Sequence, residues 1–571
     1  MQKNRDILSG YENMPLIHYD DVEANALPND IAYDDLDNHD VVGVLKGNRY
    51  VDGKLMQLYS TQENHVGVIA ATRLGKTSSY VIPTVLSFAK QMTKRSMIIS
   101  DCKGEIYRHT AATLRQAGYR VRLINFRDYQ HSECWNPLIP IYRKYRKALS
   151  IADTVKTVAL GDGNFGYAFQ GVVYKSQPSL DKVIGRVQKM MTDDVYNDID
   201  QIVATFITTQ KTDDPYWEDS ARELLKAYLI AMLEDSCKSD NPITEDTYSF
   251  STIMELSADL SAGDEKHISD GGYFSGRPHS SKAYKIVNGI LFNNASTTAG
   301  CIISMFYSKM AAFKDVAPRV ITSANSFEIS ELVEGPTAVF IDYRDELNTH
   351  YQLISMFVQE AYRFLIGYAN DKPTGKLDVP LYFILDEFGN FPKMGNFETV
   401  ISASGGRNVF FIIVVQSYAQ LDNVYGKAVA AIIRDNLNMH IFFGSNNTET
   451  LDSFSRECGK MTRVSPLSAL NGEKESIDSY QLETIPNVPV SMLSHFEPGE
   501  CIITEANSGY VLFSRLERYF LCAEYKDLPQ EDCKQYKCPI NPFDERYTYT
   551  PKSGGSSGRR IGLFDGFNFD F

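Results

Sequence analysis

Val66-Gly67-Val68-Ile69 runs directly into Ala70-Ala71-Thr72-Arg73-Leu74-Gly75-Lys76-Thr77, and a helical stretch follows to about Ala89. A short apolar strand, a glycine-containing turn and a helix, in that order, are what a phosphate-binding loop requires. Gly75 lets backbone N–H groups turn toward a phosphate with no Cβ in the way. The helix beyond presents the positive end of its dipole to the same point. Lys76 adds a charge for β- and γ-phosphates, and the Thr77 hydroxyl is placed to ligate Mg²⁺. Thr72 and Arg73 complete the loop as candidate nucleotide contacts. Ala70 stands where the strict pattern has glycine, and a methyl is tolerated there while φ stays negative. The competing interpretation is a glycine-containing loop that holds no nucleotide.

Working outward, Val41 to Leu58 reads as a hairpin, with turns at Lys46-Gly47-Asn48 and Val51-Asp52-Gly53. Met97 to Asp101 reads as a buried strand, Gly104 to Gln116 as a helix and Tyr119 to Asn125 as another strand. Strand–helix–strand alternation predicts an α/β domain with a mostly parallel sheet covered on both faces. After Ile141 the composition changes. Residues 148–325 read mainly as helices, such as Tyr216 to Asp235 and Ser281 to Phe313, with Leu160 to Val173 as a small β excursion. Alternation resumes with strands at Ala338–Asp342, Tyr382–Asp386, Val409–Val415 and Met439–Phe443. The expected organisation is therefore a flexible acidic arm (1–40), a nucleotide-binding domain in two parts (41–147 and 326–545), an inserted all-α, substrate-recruiting domain (148–325) and a disordered Gly/Ser then Phe/Asp tail (546–571).

Length and charge narrow the function. At 571 residues the chain exceeds the roughly 250–300 that one core supports, so at least two domains are expected. The net charge of −15 disfavours a broad basic surface for wrapping duplex DNA, so any nucleic acid is expected to be handled locally, as in a channel. Residues 1–40 hold ten acidic side chains against Lys3 and Arg5, which suits either a solvated arm or a docking strand for a basic partner. Nine scattered cysteines with no Cys-x-x-Cys pair indicate a reduced, cytoplasmic setting. No signal peptide is read, and the longest apolar run, Val409 to Val415, falls far short of the ~20 residues of a membrane span.

A second element must hold the metal and activate water. Leu381 to Leu385 is an apolar strand ending in Asp386-Glu387, which places both acids at the carboxyl edge of a sheet, where ligands bind in open α/β folds. Asp386 is the candidate for Mg²⁺, and Glu387 for polarising the attacking water. Gln416, at the tip of the Val409–Val415 strand, can contact the γ-phosphate or the water, or simply cap the strand. Arg407, just before that strand, suits an arginine finger reaching a neighbouring subunit's nucleotide, or a surface salt bridge. Asp101 and Lys103 lie at the same sheet edge and either buttress the metal site or relay nucleotide state, or else form a structural ion pair. Tyr142-Arg143-Lys144-Tyr145-Arg146-Lys147 interleaves bases with aromatics, as a nucleic-acid contact or a solvated helix start.

This constellation resembles the type IV secretion coupling proteins, the TraG/TraD-like conjugation ATPases. The resembling pieces are Ala70–Thr77 with Val81-Ile82-Pro83-Thr84, Asp101–Glu105, Trp135-Asn136-Pro137-Leu138, Asp214–Trp217, Leu385-Asp386-Glu387-Phe388-Gly389-Asn390, Val415-Gln416-Ser417 with Ala419-Gln420-Leu421 and Tyr425-Gly426, and Thr448-Glu449-Thr450. They cover about residues 60–520 in family order. The resemblance implies a RecA-like nucleotide-binding domain with an inserted all-α domain, and a homo-hexameric ring with ATP and Mg²⁺ between subunits. It implies that the helical domain recruits relaxase–DNA complexes or secreted protein effectors, with single-stranded DNA as cargo. The partners it implies are the ATPases and membrane components of a secretion channel at the inner face of the cell membrane. Family members typically begin with transmembrane helices, so either this polypeptide is a soluble portion or a separate protein supplies the anchor. Two rivals stand beside a coupling motor: a DNA translocase of the FtsK/HerA group, and a non-hydrolysing receptor that uses the P-loop only for assembly.

Overall fold

A computed structural model describes residues 16–18, 31–35, 43–51, 54–161, 164–207, 215–261, 272–344, 346, 348–469, 476–506 and 508–551. Packing divides the chain into two compact units, each assembled from three segments.

The first unit comprises Met1–Asn125, Ile329–Leu347 and Ala361–Tyr536. Its centre is a ten-stranded sheet. In chain order the strands are β1 (Leu16–His18), β2 (Val66–Ala70), β3 (Ser96–Asp101), β4 (Arg120–Asn125), β5 (Thr337–Asp342), β6 (Leu381–Leu385), β7 (Val409–Val415), β8 (Met439–Gly444), β9 (Glu500–Glu505) and β10 (Val511–Arg515). In space they run β1-β10-β9-β8-β2-β7-β6-β3-β5-β4. From β8 to β4 every pairing is parallel, and β9 pairs antiparallel with β8 and β10.

The parallel strands are near-continuous apolar runs because helices cover both faces. Every residue of β2, β3, β5, β6, β7 and β8 is buried. On one face Ile82, Val85 and Phe88 of the helix after the glycine turn share a core with Tyr382, Ile384, Phe410 and Ile412. The register sets the functional edge. Because β7 lies between β2 and β6, the residue after β7 emerges between the Ala70–Thr77 turn and the acids after β6.

The expected hairpin forms from Leu45–Val51 and Lys54–Ser60, and Ile31–Asp35 pairs with the second strand. Lys46-Gly47-Asn48 is no turn, however. It lies inside the first strand at a bulge, where the register shifts between Leu45 and Gly47. Lys46 is 1% exposed, ion-paired with Glu505 and donating to the Tyr510 hydroxyl at 3.0 Å. A Cβ on Gly47 would sit 2.5 Å from Ser514 Oγ and displace the hydroxyl that donates to Lys46 O at 2.6 Å.

The second unit comprises the described parts of Phe126–Glu328, Asn348–Glu360 and Lys537–Phe571. It is mainly helical, with long helices at Gln177–Phe206, Tyr216–Asp235 and Ser296–Lys309. It also carries a three-stranded antiparallel sheet, Lys156–Gly161, Asn164–Phe169 and Val172–Tyr174, so it is not purely α. Its boundaries differ from a single insertion at 148–325, because Trp135–Leu138 and the helix Ile139–Leu149 pack here. Asn136 donates to Tyr248 O at 2.9 Å and accepts from Leu138 N at 3.0 Å, and the Trp135 ring meets Phe357 edge-on. The chain returns after Lys537, where Tyr547 and Ile540 pack on Cys134 and Ala324. The acidic arm at 1–40, apart from its strand residues, and the tail beyond residue 551 lie outside the described residues. Among the described residues no helix is long and apolar enough to cross a membrane.

Candidate active site

The glycine turn leaves β2 at Ala70, which is still extended and pairs with Gly444. A methyl therefore meets no strain at the position where the strict pattern has glycine. Gly75 has φ 90°, in the left-handed region that only glycine enters freely. Arg73 also has a positive φ, 72°, which costs an L-residue about 1–2 kcal/mol. The next helix opens as one π-type turn, Lys76–Val81, with Ser79 N–H donating to Gly75 O at 2.6 Å, before continuing as Ile82–Lys90.

Three chain segments converge at the carboxyl edge of the parallel strands. Lys76 Nζ is ion-paired with Glu387, with both side chains nearly buried. The Thr77 hydroxyl donates to Asp386 Oδ2 at 2.8 Å. Gln416 Nε2 donates to Glu387 Oε2 at 3.2 Å, and Thr72 Oγ1 donates to Gln416 Oε1 at 3.3 Å. The amide thus ties the phosphate-loop candidate to the acid across the tip of β7. Glu387 itself adopts φ 54°, ψ 36°, the left-handed conformation, which turns its carboxylate off the line of β6. A glutamate held there costs on the order of 1–3 kcal/mol, a strain that clusters at functional sites.

Burial pushes the Asp386 carboxyl above the ordinary carboxylate range, and Lys76 opposes that rise. Asp101, at the end of β3, is pushed up to about 7 by burial and by the neighbouring Asp342 carboxylate. Its oxygens accept backbone N–H groups of Glu105 at 3.1 Å and Tyr107 at 2.8 Å. Asp101 therefore caps the helix after β3, one strand from Asp386. Lys103 is exposed and makes no ion pair among the described residues, so Asp101–Lys103 is not a structural pair.

Arg407 is not brought to this edge. It precedes β7, whose seven residues put it about 23 Å or more from Gln416 at ~3.3 Å per residue. Its guanidinium donates to Asn370 Oδ1 at 3.3 Å and Ala403 O at 3.0 Å, and to no carboxylate among the described residues. The basic run at 142–147 is engaged within its own unit. Tyr142 and Tyr145 are buried, Arg143 pairs with Glu245 and Glu328, and Lys144 pairs with Asp198.

Supporting residues escaped the sequence analysis as functional positions. Ser100 Oγ and Tyr343 OH both donate to the backbone carbonyl of Asp386, at 3.0 and 3.4 Å. Gln420 Oε1 accepts the Gln416 N–H at 2.8 Å, and a Cβ on Gly389 would fall 2.5 Å from that same oxygen. The glycine after Phe388 and the glutamine after Ala419 are thus one packing requirement. Their co-occurrence among the family-like pieces was the available signal.

The donor set suits a Mg²⁺–nucleoside triphosphate. One hydroxyl and one carboxylate in contact match a cation that takes its other ligands from phosphate oxygens and water. Among the described residues no group of three or more His, Cys, Asp or Glu forms a metal cage of its own.

Over residues 23–481 the chain matches the family described as Type IV secretory system Conjugative DNA transfer. It is similar to a conjugal transfer protein TraG of Escherichia coli, 23% identical over an alignment of 439 residues that covers 74% of this chain and 60% of that one. It is also similar to a protein VirD4 of Rhizobium rhizogenes, 19% identical over 407 residues, 71% of this chain and 50% of that one. Among solved structures it resembles the unbound monoclinic form of the bacterial conjugative coupling protein TrwBdeltaN70, at 14% identity and TM-score 0.49, covering 79% of this chain and 84% of that one. The chain spans about half to three-fifths of the length of these two curated relatives.

Proposed function

The chain belongs to the type IV secretory conjugative DNA-transfer family, and from that premise we propose that it is an ATP-hydrolysing coupling motor. Its helical unit recruits relaxase–DNA complexes or protein effectors, and its nucleotide unit drives them toward a secretion channel as a homo-hexamer. The observation that carries this proposal is the convergence of Lys76, Thr77, Asp386, Glu387 and Gln416 on one point of one sheet edge.

ATP supplies the phosphoanhydride bond, and Mg²⁺ neutralises its charge. The chain's own part is to bind and to move a proton. Thr77 and Asp386 would hold the cation, and Lys76 would turn its donors to β- and γ-phosphate oxygens. Giving Lys76 to phosphate frees the Glu387 carboxylate to accept the proton of the attacking water. Gln416 stays bonded to that carboxylate and to Thr72, so a change at the γ position is felt at the tip of β7. Arg407 enters as a finger for a neighbouring copy, since within one chain it stands at the other edge.

Steady-state ATPase measurements on the full chain, with and without single-stranded DNA, test the proposal. Lys76→Ala is expected to lose nucleotide binding, and Glu387→Gln to bind ATP but lose 10²-fold or more in kcat. Arg407→Ala is expected to lower kcat with KM nearly unchanged. Absence of hydrolysis by the wild type, DNA-bound and assembled, returns the chain to the non-hydrolysing receptor. Conjugative transfer that proceeds with Lys76→Ala would reject the motor.

A further inference from the structure

The loop after β10 brings an arginine to the phosphate loop from a part of the chain that no motif marked. A Cβ placed on Gly75 would lie 3.3 Å from Arg518 Nε, with Ser79 Oγ at 3.0 Å and Ser78 Oγ at 3.4 Å alongside. Arg518 Nε is itself buried and has no hydrogen-bond partner among the described residues. The guanidinium makes no ion pair there either, and its ring contact is the face of Phe520, 6.0 Å from the centroid. Nearby Arg515, by contrast, is paired with Glu517 at 2.8 Å.

A guanidinium presents five donors in a rigid fork and cannot shed its charge. Leaving a buried donor of that kind unpaired costs about 1–3 kcal/mol, and a folded chain rarely bears that cost beside a glycine turn without a partner in view. The complement of such a fork is an oxyanion able to accept two N–H groups at once, and phosphate is the common one. The loop it faces is the one that Gly75 and Lys76 mark for phosphate. The turn Tyr519–Leu521 fixes its position: Tyr519 is buried, and its hydroxyl bonds His109 Nε2 at 2.8 Å.

We propose that Arg518 is a nucleotide-binding residue, a cationic clamp on the part of the phosphate chain that ATP and ADP share. This rests on the ATP-motor reading above. The γ end is already addressed by Lys76, Glu387 and Gln416, whereas Arg518 lies beside Gly75, Ser78 and Ser79, away from that acid pair in sequence and contact. Its loss should weaken di- and triphosphate equally and leave the hydrolytic step nearly intact.

The test is a fluorescence titration of the full chain with mant-ADP and mant-ATP in the presence of Mg²⁺, with steady-state ATPase and thermal melts run alongside. Arg518→Ala is expected to raise the Kd of both nucleotides about tenfold or more, with kcat within threefold of wild type. Arg518→Lys, which keeps the charge but not the fork, should fall between. The ligand-free melting midpoint of Arg518→Ala should equal or exceed that of wild type, because an unpaired buried donor has been removed. A wild type that binds mant-ADP together with an Arg518→Ala variant that binds it within twofold overturns the clamp and leaves the motor standing. A lowered ligand-free midpoint makes Arg518 a structural residue and also overturns it. A wild type that binds neither nucleotide removes the motor reading and the clamp with it.

Discussion

Asp101 shows what one residue's surroundings do to its chemistry. Its carboxyl is buried at the end of β3, beside Asp342 on β5 and within reach of Asp386, so it is pushed up to about 7 against 3.8 in its ordinary setting. A carboxyl raised on folding binds its proton more tightly in the native state, so stability falls as pH climbs between those values. His65 acts oppositely. Burial lowers it to about 4, so the native state gains as pH rises from 4 toward 6.5. The wild-type curve sums both, and a variant isolates one. Asp101→Asn keeps an oxygen for the helix cap and loses the titration. The wild-type-minus-variant difference in melting midpoint should decline between pH 5 and 8, and a flat difference would mean that Asp101 does not carry the shift. The end-of-strand acids were legible in sequence because a strand's carboxyl edge is a fixed place. The raised Asp101 was not, since its causes, burial first and Asp342 second, arise only once the sheet has formed and brought β5 beside β3. Arg518 was hidden for the same reason.

At the scale of elements, the parallel strands could be read nearly to the residue: Val409–Val415 and Leu381–Leu385 stand as uninterrupted apolar runs because both faces are covered. The hairpin could not, because what decides its first strand is a partner from the far end of the chain. Lys46 is drawn into the interior by Glu505 on β9, which also accepts from Ser60 Oγ at 2.8 Å and Asn64 Nδ2 at 2.6 Å. A lysine beside glycine and asparagine looks like a turn until that carboxylate is in place. Removing one partner of a buried pair costs far more than removing both, because the survivor keeps its charge without compensation. Glu505→Gln should therefore destabilise the chain by about 3–5 kcal/mol, seen as a lowered urea midpoint with little change in slope. Adding Lys46→Met should restore most of that loss. Equal midpoints for the single and double variants would show that the ion pair does not fasten the hairpin to the sheet.

At the scale of the molecule, every residue assigned to the site falls in one unit: the loop at 70–77, Asp101, Asp386–Glu387, Gln416 and Arg518 all belong to Met1–Asn125 or Ala361–Tyr536. The division itself was only half legible. Composition marks a helical stretch but not that Trp135–Leu138 packs with it, nor that the chain returns to it after Lys537. Those depend on contacts such as Asn136 with Tyr248 and Tyr547 with Cys134. Each unit has a core of its own, so thermal unfolding should show two transitions. A ligand that binds the native form alone stabilises by RT ln(1 + [L]/Kd), about 2.7 kcal/mol at a hundredfold excess over Kd. For a unit of this size that moves a midpoint by roughly 4 °C. Calorimetry with saturating Mg²⁺ and a non-hydrolysable ATP analogue should raise one transition by that amount and leave the other within a degree. Lys76→Ala should abolish the shift without moving the ligand-free midpoints by a comparable amount. Equal displacement of both transitions, or a single cooperative one, would mean that nucleotide and helical units do not respond independently. The coupling between them would then have to be built into the fold and not delivered by a partner or substrate.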